Sequence, residues 1–200
     1  MKHVRLFLSA LLAGMAIGIG GAVYLSVESS VVGALLFSVG LYAICAHGLH
    51  LFTGKVGYLV GESPAYLGQL AVIWAGNFAG TGLTALALRA SRAASMAVRA
   101  GAMCETKLGD GLLSLFLLAV FCGLLMFIAV DGYKRTQNPL ILILCVAVFI
   151  LCGFEHCIAD MFYFAVSSTL GAQALLRLAV ITLGNSAGGV LIPLLRRLPE

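Results

Sequence analysis

The chain has 200 residues, 62% of them hydrophobic and only 10% charged, with a formal net charge of +4 and a mean hydropathy of +1.08. A soluble domain carries about 25% charged residues, so this sequence lacks the material for a solvated surface and lipid must be the solvent for most of it. The positive charge is scattered and gives no support to a nucleic-acid partner. The six cysteines fall mostly inside apolar runs, where they read as small hydrophobes rather than as a disulfide framework.

A helix that crosses a bilayer needs about 20 apolar residues. The first such window is Val4–Leu25. The overlapping apolar run from Leu6 to Val27 is too long for a signal-peptide core of roughly 7–15 residues and reads as a first span. The second window, Val31–Val60, is overlong and is interrupted at 50–55 by His50-Leu51-Phe52-Thr53-Gly54-Lys55. A third follows at Tyr66–Leu88. In the polar stretch after it, Arg89, Arg92 and Arg99 share one face at helical spacing, which predicts a connecting helix on the membrane surface. The fourth window is Leu112–Val130. The fifth, Pro139–Val166, is again overlong and is interrupted at 153–160, beginning with Gly153-Phe154-Glu155-His156; the sixth is Ala174–Leu195.

These windows predict an all-α membrane protein of six transmembrane helices in one transport domain, residues 1–200. The two halves echo each other. Gly76-Asn77 and Gly80 in the third window match Gly184-Asn185 and Gly188 in the sixth, and the middle window of each triplet is the interrupted one. Three spans per half would invert one half relative to the other, giving repeat one at 1–90 and repeat two at 108–200. Inverted repeats with paired discontinuous helices place a transport site near the midplane between them. Six spans put both termini on one side. Lys2, Arg5, Lys134, Arg135, Arg196 and Arg197 fall there, against Arg89, Arg92, Arg99, Lys107 and Arg177 opposite, a small bias toward cytoplasmic termini.

The two interruptions carry the chemistry. Charge at bilayer depth is costly unless paired or hydrated, and it marks ion and proton pathways, which makes Glu155 and His156 candidate functional residues. His156 has a side chain that titrates near neutrality, and Glu155 is read either as its charge partner or as a bond to exposed backbone. In the first interruption, Gly48 and Gly54 bracket a break. The Thr53 hydroxyl, the Lys55 ammonium and the N-terminus of a half-helix starting at Val56 would all favour an anion. Cys152, Glu155, His156, Cys157 and Asp160 cluster in sequence, but their spacing matches no familiar zinc pattern, so neither a metal nor another cofactor is expected. No Gly-x-Ser-x-Gly, His-Glu-x-x-His or Ser-Lys arrangement suggests an enzyme.

With these residues assembled, the chain resembles the formate/nitrite transporter family. The resemblance covers nearly the whole chain: six spans, Leu51-Phe52-Thr53, Gly153-Phe154-Glu155-His156, the two Gly-Asn pairs, and an Asp160-Met161-Phe162 run where the family usually has Asn before Met-Phe. It implies an aquaporin-like protomer with broken second and fifth helices, assembled as a homopentamer in the bilayer of a bacterial cytoplasmic membrane. Each protomer would pass small monovalent anions such as formate, nitrite or hydrosulfide, often with a proton.

Carried over by position, His156 is the central pore histidine with Thr53 as its partner. Leu41, Leu51 and Phe52 form a cytoplasmic constriction. Phe37, Cys122 and Phe149 narrow the pore elsewhere, Phe37 and Phe149 on the outer side. Asn77 and Asn185, with Asp160, support the helix breaks. The family's usual basic residue ahead of the fourth span falls on Met103. Either Lys107, one turn later, recovers it or the charge has moved to Lys55, and the second reading is preferred here because Lys55 stands nearer Thr53 in sequence. The expected activity is passage of a weak acid, formate foremost, with protonation by His156 or water; the alternatives are a neutral-solute channel of the water or urea type, and a structural or enzymatic membrane subunit.

Overall fold

A computed structural model describes the backbone of residues 2–199 and the side chains of residues 3–199, so the Lys2 side chain weighed above lies outside the described residues. The described chain is helical, with nine α-helices: α1 (Lys2–Ser26), α2 (Ser30–Ala46), α3 (Phe52–Lys55), α4 (Ala65–Arg89), α5 (Met96–Gly109), α6 (Leu112–Thr136), α7 (Pro139–Leu151), α8 (Cys157–Val166) and α9 (Ala172–Leu195). Short 3-10 turns at Val56–Gly61 and Arg92–Ser95 follow α3 and precede α5. Four helices, α1, α4, α6 and α9, are long and apolar enough to cross a membrane; α2, α7 and α8 are shorter apolar helices. Their outward faces carry large apolar side chains, as in the Val4, Leu8, Leu12 stripe of α1.

The second and fifth windows each divide into two helices, though not where the sequence reading put the interruptions. Helix α2 stops at Ala46, because Gly48 turns left-handed at φ 62°. The Gly48 and Leu49 N–H groups then bond back to Cys45 and Ile44, closing a Schellman cap. Gly153 ends α7 in the same way at φ 67°, with Gly153 and Phe154 bonding back to Ile150 and Phe149. The non-helical residues are therefore 47–51 and 152–156, and helix resumes at Phe52 and Cys157 rather than at Val56 and beyond 160. Gly54 lies inside α3 and does not bracket the break.

Packing repeats as the sequence echo does. Helix α1 lies along α4, and α6 along α9, the two most extensive helix contacts in the molecule. Each pair is brought close by a glycine at which a Cβ would collide with backbone of the neighbouring helix: Gly80 against Leu11 and Gly188 against Val120. Small residues at such crossings let helices touch along their backbones where no hydrophobic force between them is available. Helix α2 packs on α7, α4 on α8, and α5 on α8, so the two interrupted segments meet in the interior.

The surface connecting helix is a different object from the one expected. Arg89 closes α4, Arg92 opens a 3-10 turn and only Arg99 lies on α5, so the three do not share a helix face. Arg99 turns inward: its guanidinium donates to the Leu25 and Val27 carbonyls and covers the Tyr24 ring at 5.2 Å. Helix α5 is thereby pinned to the end of α1 with its other face against α8.

Candidate functional site

Two asparagines hold the two breaks. Asn77 Oδ1 accepts the Phe52 N–H at 2.8 Å, and its amide donates to the Ala10 and His50 carbonyls at 2.7 and 2.9 Å. Asn185 does the same for the second break, accepting the Cys157 N–H at 2.9 Å and donating to Ala119 and Glu155 carbonyls at 2.8 Å each. Breaking a helix in an apolar interior strands backbone donors and acceptors; each asparagine covers one of each at the break and ties them to a long helix.

Thr53 and His156 are brought together. The Thr53 hydroxyl and His156 Nε2 are 2.9 Å apart, with Thr53 fully buried and His156 2% exposed. The tautomer follows from the other ring nitrogen. His156 is the N-cap of α8, and its Nδ1 accepts the Ala159 N–H at 3.1 Å. Nδ1 therefore carries no proton in this arrangement, and Nε2–H donates to Thr53 Oγ1. The Phe149 ring lies over the imidazole with centroids 5.5 Å apart, and Phe37 meets Phe149 edge-on at 5.9 Å.

A cavity opens on each side of this contact. The first, about 240 Å³, is lined by His156, Phe149, Tyr24, Tyr163 and the charged trio Lys107, Glu155 and Asp160. The second, about 260 Å³, is lined by Leu51, Gly54, Cys45, Tyr133, Lys55 and Lys134. Phe37, Leu41, Phe52 and Cys122 are buried and line neither cavity.

The cation beside His156 is Lys107, not Lys55. Helix α3 starts at Phe52, so Lys55 stands at its far end and faces the second cavity; the Tyr66 hydroxyl donates to the Lys55 carbonyl at 3.1 Å. Lys107 reaches in from the last turn of α5, pairing with Glu155 Oε2 and with Asp160 Oδ1 at 2.9 Å. Arg177 fixes that turn by donating to the Lys107 carbonyl at 3.0 Å and to the Leu108 carbonyl. Asp160 thus contacts the lysine through its side chain and does not cap the break through it. Glu155 pairs with Lys107 rather than with the ring beside it in sequence.

The sequence reading gave no role to the polar cluster around Asp131. Its carboxylate accepts from Arg135 and Arg196 at 2.8 Å each and from the Tyr58 hydroxyl at 3.3 Å, tying the end of α6 to the end of α9. Its only sequence signal is an acid placed four residues before Arg135 in a helix.

Comparison with known proteins identifies the family of the chain. The formate channel FocA of Haemophilus influenzae is 26% identical over 182 residues, covering 78% of this chain and 64% of that protein. The formate channel FocB of Escherichia coli K12 is 28% identical over 185 residues, covering 80% and 66%. The chain thus matches just under two thirds of the length of these relatives. Among solved structures, a pentameric formate channel with formate bound superposes with a TM-score of 0.84 at 25% identity, over 98% of this chain and 96% of that one. The family model for formate/nitrite transporters matches residues 1–197, and the chain belongs to that family.

Proposed function

We propose that this protein is a channel for small monovalent anions of weak acids, formate foremost, built from six spans in two inverted repeats, residues 1–90 and 108–200, and assembled as a homopentamer with cytoplasmic termini. The observation that carries the reading is the Thr53–His156 hydrogen bond, which joins the two helix breaks and stands between two cavities that each contain lysine. Charge on the far side of the membrane supports the orientation. Arg99, Lys107 and Arg177 are spent on internal partners there, and Arg135 and Arg196 on the other side pair with Asp131, which leaves, among the described side chains, Arg89 and Arg92 against Arg5, Lys134 and Arg197. Exposed Leu and Val faces would meet lipid or neighbouring subunits.

In this reading an anion gathers in the second cavity near Lys55 and Lys134, which no carboxylate neutralises among its lining residues. A bare anion pays a large desolvation cost to pass the apolar residues beyond it. Leu41, Leu51 and Phe52 would form one constriction and Phe37, Cys122 and Phe149 the other. At the divide the neutral imidazole offers Nε2–H to the anion in exchange for Thr53. Because Nδ1 is occupied as a cap acceptor, charging the ring would cost the Ala159 bond; water in the cavities is then the proton source, and the species crossing the constrictions is the neutral acid. Asn77 and Asn185 hold both breaks open to this path.

Flux of a panel of labelled small acids and of water into proteoliposomes, across a pH series, tests the assignment. Saturable formate or nitrite flux that rises as pH falls is expected, and His156→Asn, which keeps a donor but not the ring, should reduce flux while preserving its pH dependence. Water or urea flux without any acid flux would replace this reading with a neutral-solute channel. A flat pH profile in His156→Asn would return the proton to the imidazole.

A further inference from the structure

Two buried acids beside His156, Glu155 and Asp160, take no part in the passage described above. Lys107 has two carboxylate partners, Glu155 and Asp160, and the three side chains are nearly or wholly shielded, with Asp160 1% and Glu155 6% exposed. One cation faces two acids. A surplus charged carboxylate in such a place is costly, and binding one proton removes that cost. The second observation is independent of the count. Asp160 Oδ2 is buried with no hydrogen-bond partner among the described residues, and an unpaired oxygen there is far costlier on a charged carboxylate than on a neutral carboxyl.

Among the described residues the surrounding elements supply no second unspent cation to take up the excess. Helix α5 contributes Lys107, the Cys104 thiol and Arg99, whose guanidinium is spent on the Leu25 and Val27 carbonyls and the Tyr24 ring, and the break contributes Glu155 and the capped, neutral His156. Tyr163 and Cys157 of α8, Tyr24 of α1 and Cys122 of α6 complete the titratable neighbours. Helix α4 turns only neutral polar groups inward, Asn77, Thr81 and Thr84. On α9 the Arg177 guanidinium is spent on the Lys107 and Leu108 carbonyls and on Gln173.

We propose that Asp160, together with Glu155 and Lys107, is a proton-binding site: the trio holds one proton between its two carboxylates, and that proton decides whether the His156 cavity admits an anion. With the proton bound, the charges of the wall sum to zero. With it released to cavity water, the wall carries a net −1 and repels the anion beside His156. The proton passes between water and carboxylate only and is not handed to the substrate, so no other reactant is needed. The effect on flux rests on the channel reading above; the proton site itself does not.

Infrared difference spectroscopy of the purified protein separates the two. A protonated-carboxyl C=O band above the amide I region, shifting to lower frequency in D₂O, is expected in the wild type near neutral pH and absent from Asp160→Asn and from Glu155→Gln. A wild-type spectrum without such a band overturns the proposal whatever the variants do, and so does a band that survives in both. In proteoliposomes, Asp160→Asn leaves Lys107 and Glu155 balanced at every pH. Its formate flux should persist several-fold above wild type on the alkaline side, where the wild type has shut; superimposable pH profiles of the two proteins also overturn the proposal. Absence of acid flux in both proteins with the band present would instead reject the channel reading and leave the proton site standing.

Discussion

Asn185→Ala removes one side chain that serves three buried groups. The Ala119 carbonyl keeps its place in the α6 ladder, so it remains satisfied. The Cys157 N–H and the Glu155 carbonyl lose the only side-chain partner they have, at 2.9 and 2.8 Å. Leaving a buried donor or acceptor unpaired costs about 1–3 kcal/mol each, hence about 4 kcal/mol for the two together. For a chain of this size each kcal/mol moves the melting temperature by about 2–4 °C, so a fall of roughly 8–16 °C is expected. The assay is thermal unfolding of the detergent-purified protein followed by the fluorescence of its one tryptophan, Trp74. Asn77→Ala, with the matching set of partners, should fall by a similar amount. A change under about 3 °C in both variants would refute the reasoning, because the breaks would then be satisfied by something other than these amides.

Three further outcomes are expected. Gly188→Val places branched atoms on the Val120 carbonyl and should separate α6 from α9 at a cost of at least 1–3 kcal/mol, whereas Gly82→Ala, where nothing lies within 4 Å, should be neutral or stabilising; melting temperatures distinguish them. Lys107→Met leaves the Glu155–Asp160 pair with one uncompensated buried charge and should cost about 3–5 kcal/mol, read as loss of folded protein in size-exclusion profiles, with Asp160→Asn added in the same chain restoring part of it. Lys55→Gln with Lys134→Gln should raise the formate concentration at half-maximal flux from the second-cavity side by several-fold at low salt, and by less at high salt because screening already weakens the lysine field; salt-independent behaviour of the wild type would sink the role of these lysines.

The helices that can cross a membrane were readable because an apolar run of the right length has few other uses. The presence of two interruptions was also readable, from Glu155-His156 and the Thr53 segment standing in apolar runs. Their limits were not. Gly48 ends its helix at Ala46, three residues earlier than the polar residues suggest, and Gly153 ends its helix at Leu151, one residue earlier. Where helix resumes depends on Asn77 and Asn185, residues 25 and 28 positions away from the N–H groups they receive. The identity of the buried cation was hidden for the same reason. Lys55 is two residues from Thr53, but one short turn of α3 carries it to the other cavity. Lys107 is 48 residues from Glu155 and arrives because Arg99 and Arg177 anchor α5 at both ends. Sequence distance measures neither.

The asparagine contacts also bear on the order in which the chain can be made. All partners of Asn77 lie between Ala10 and Phe52, and all partners of Asn185 between Ala119 and Cys157. Each stretch therefore satisfies the exposed backbone of its own break without help from the other, and the first can enter the bilayer before the second has been synthesised. The Thr53–His156 contact, which spans 103 residues, needs both, as do the Trp74–Thr182 bond and the packing of α2 on α7 and of α4 on α8. The contact between the two breaks would thus form late, after the backbone of each break has been satisfied within its own stretch.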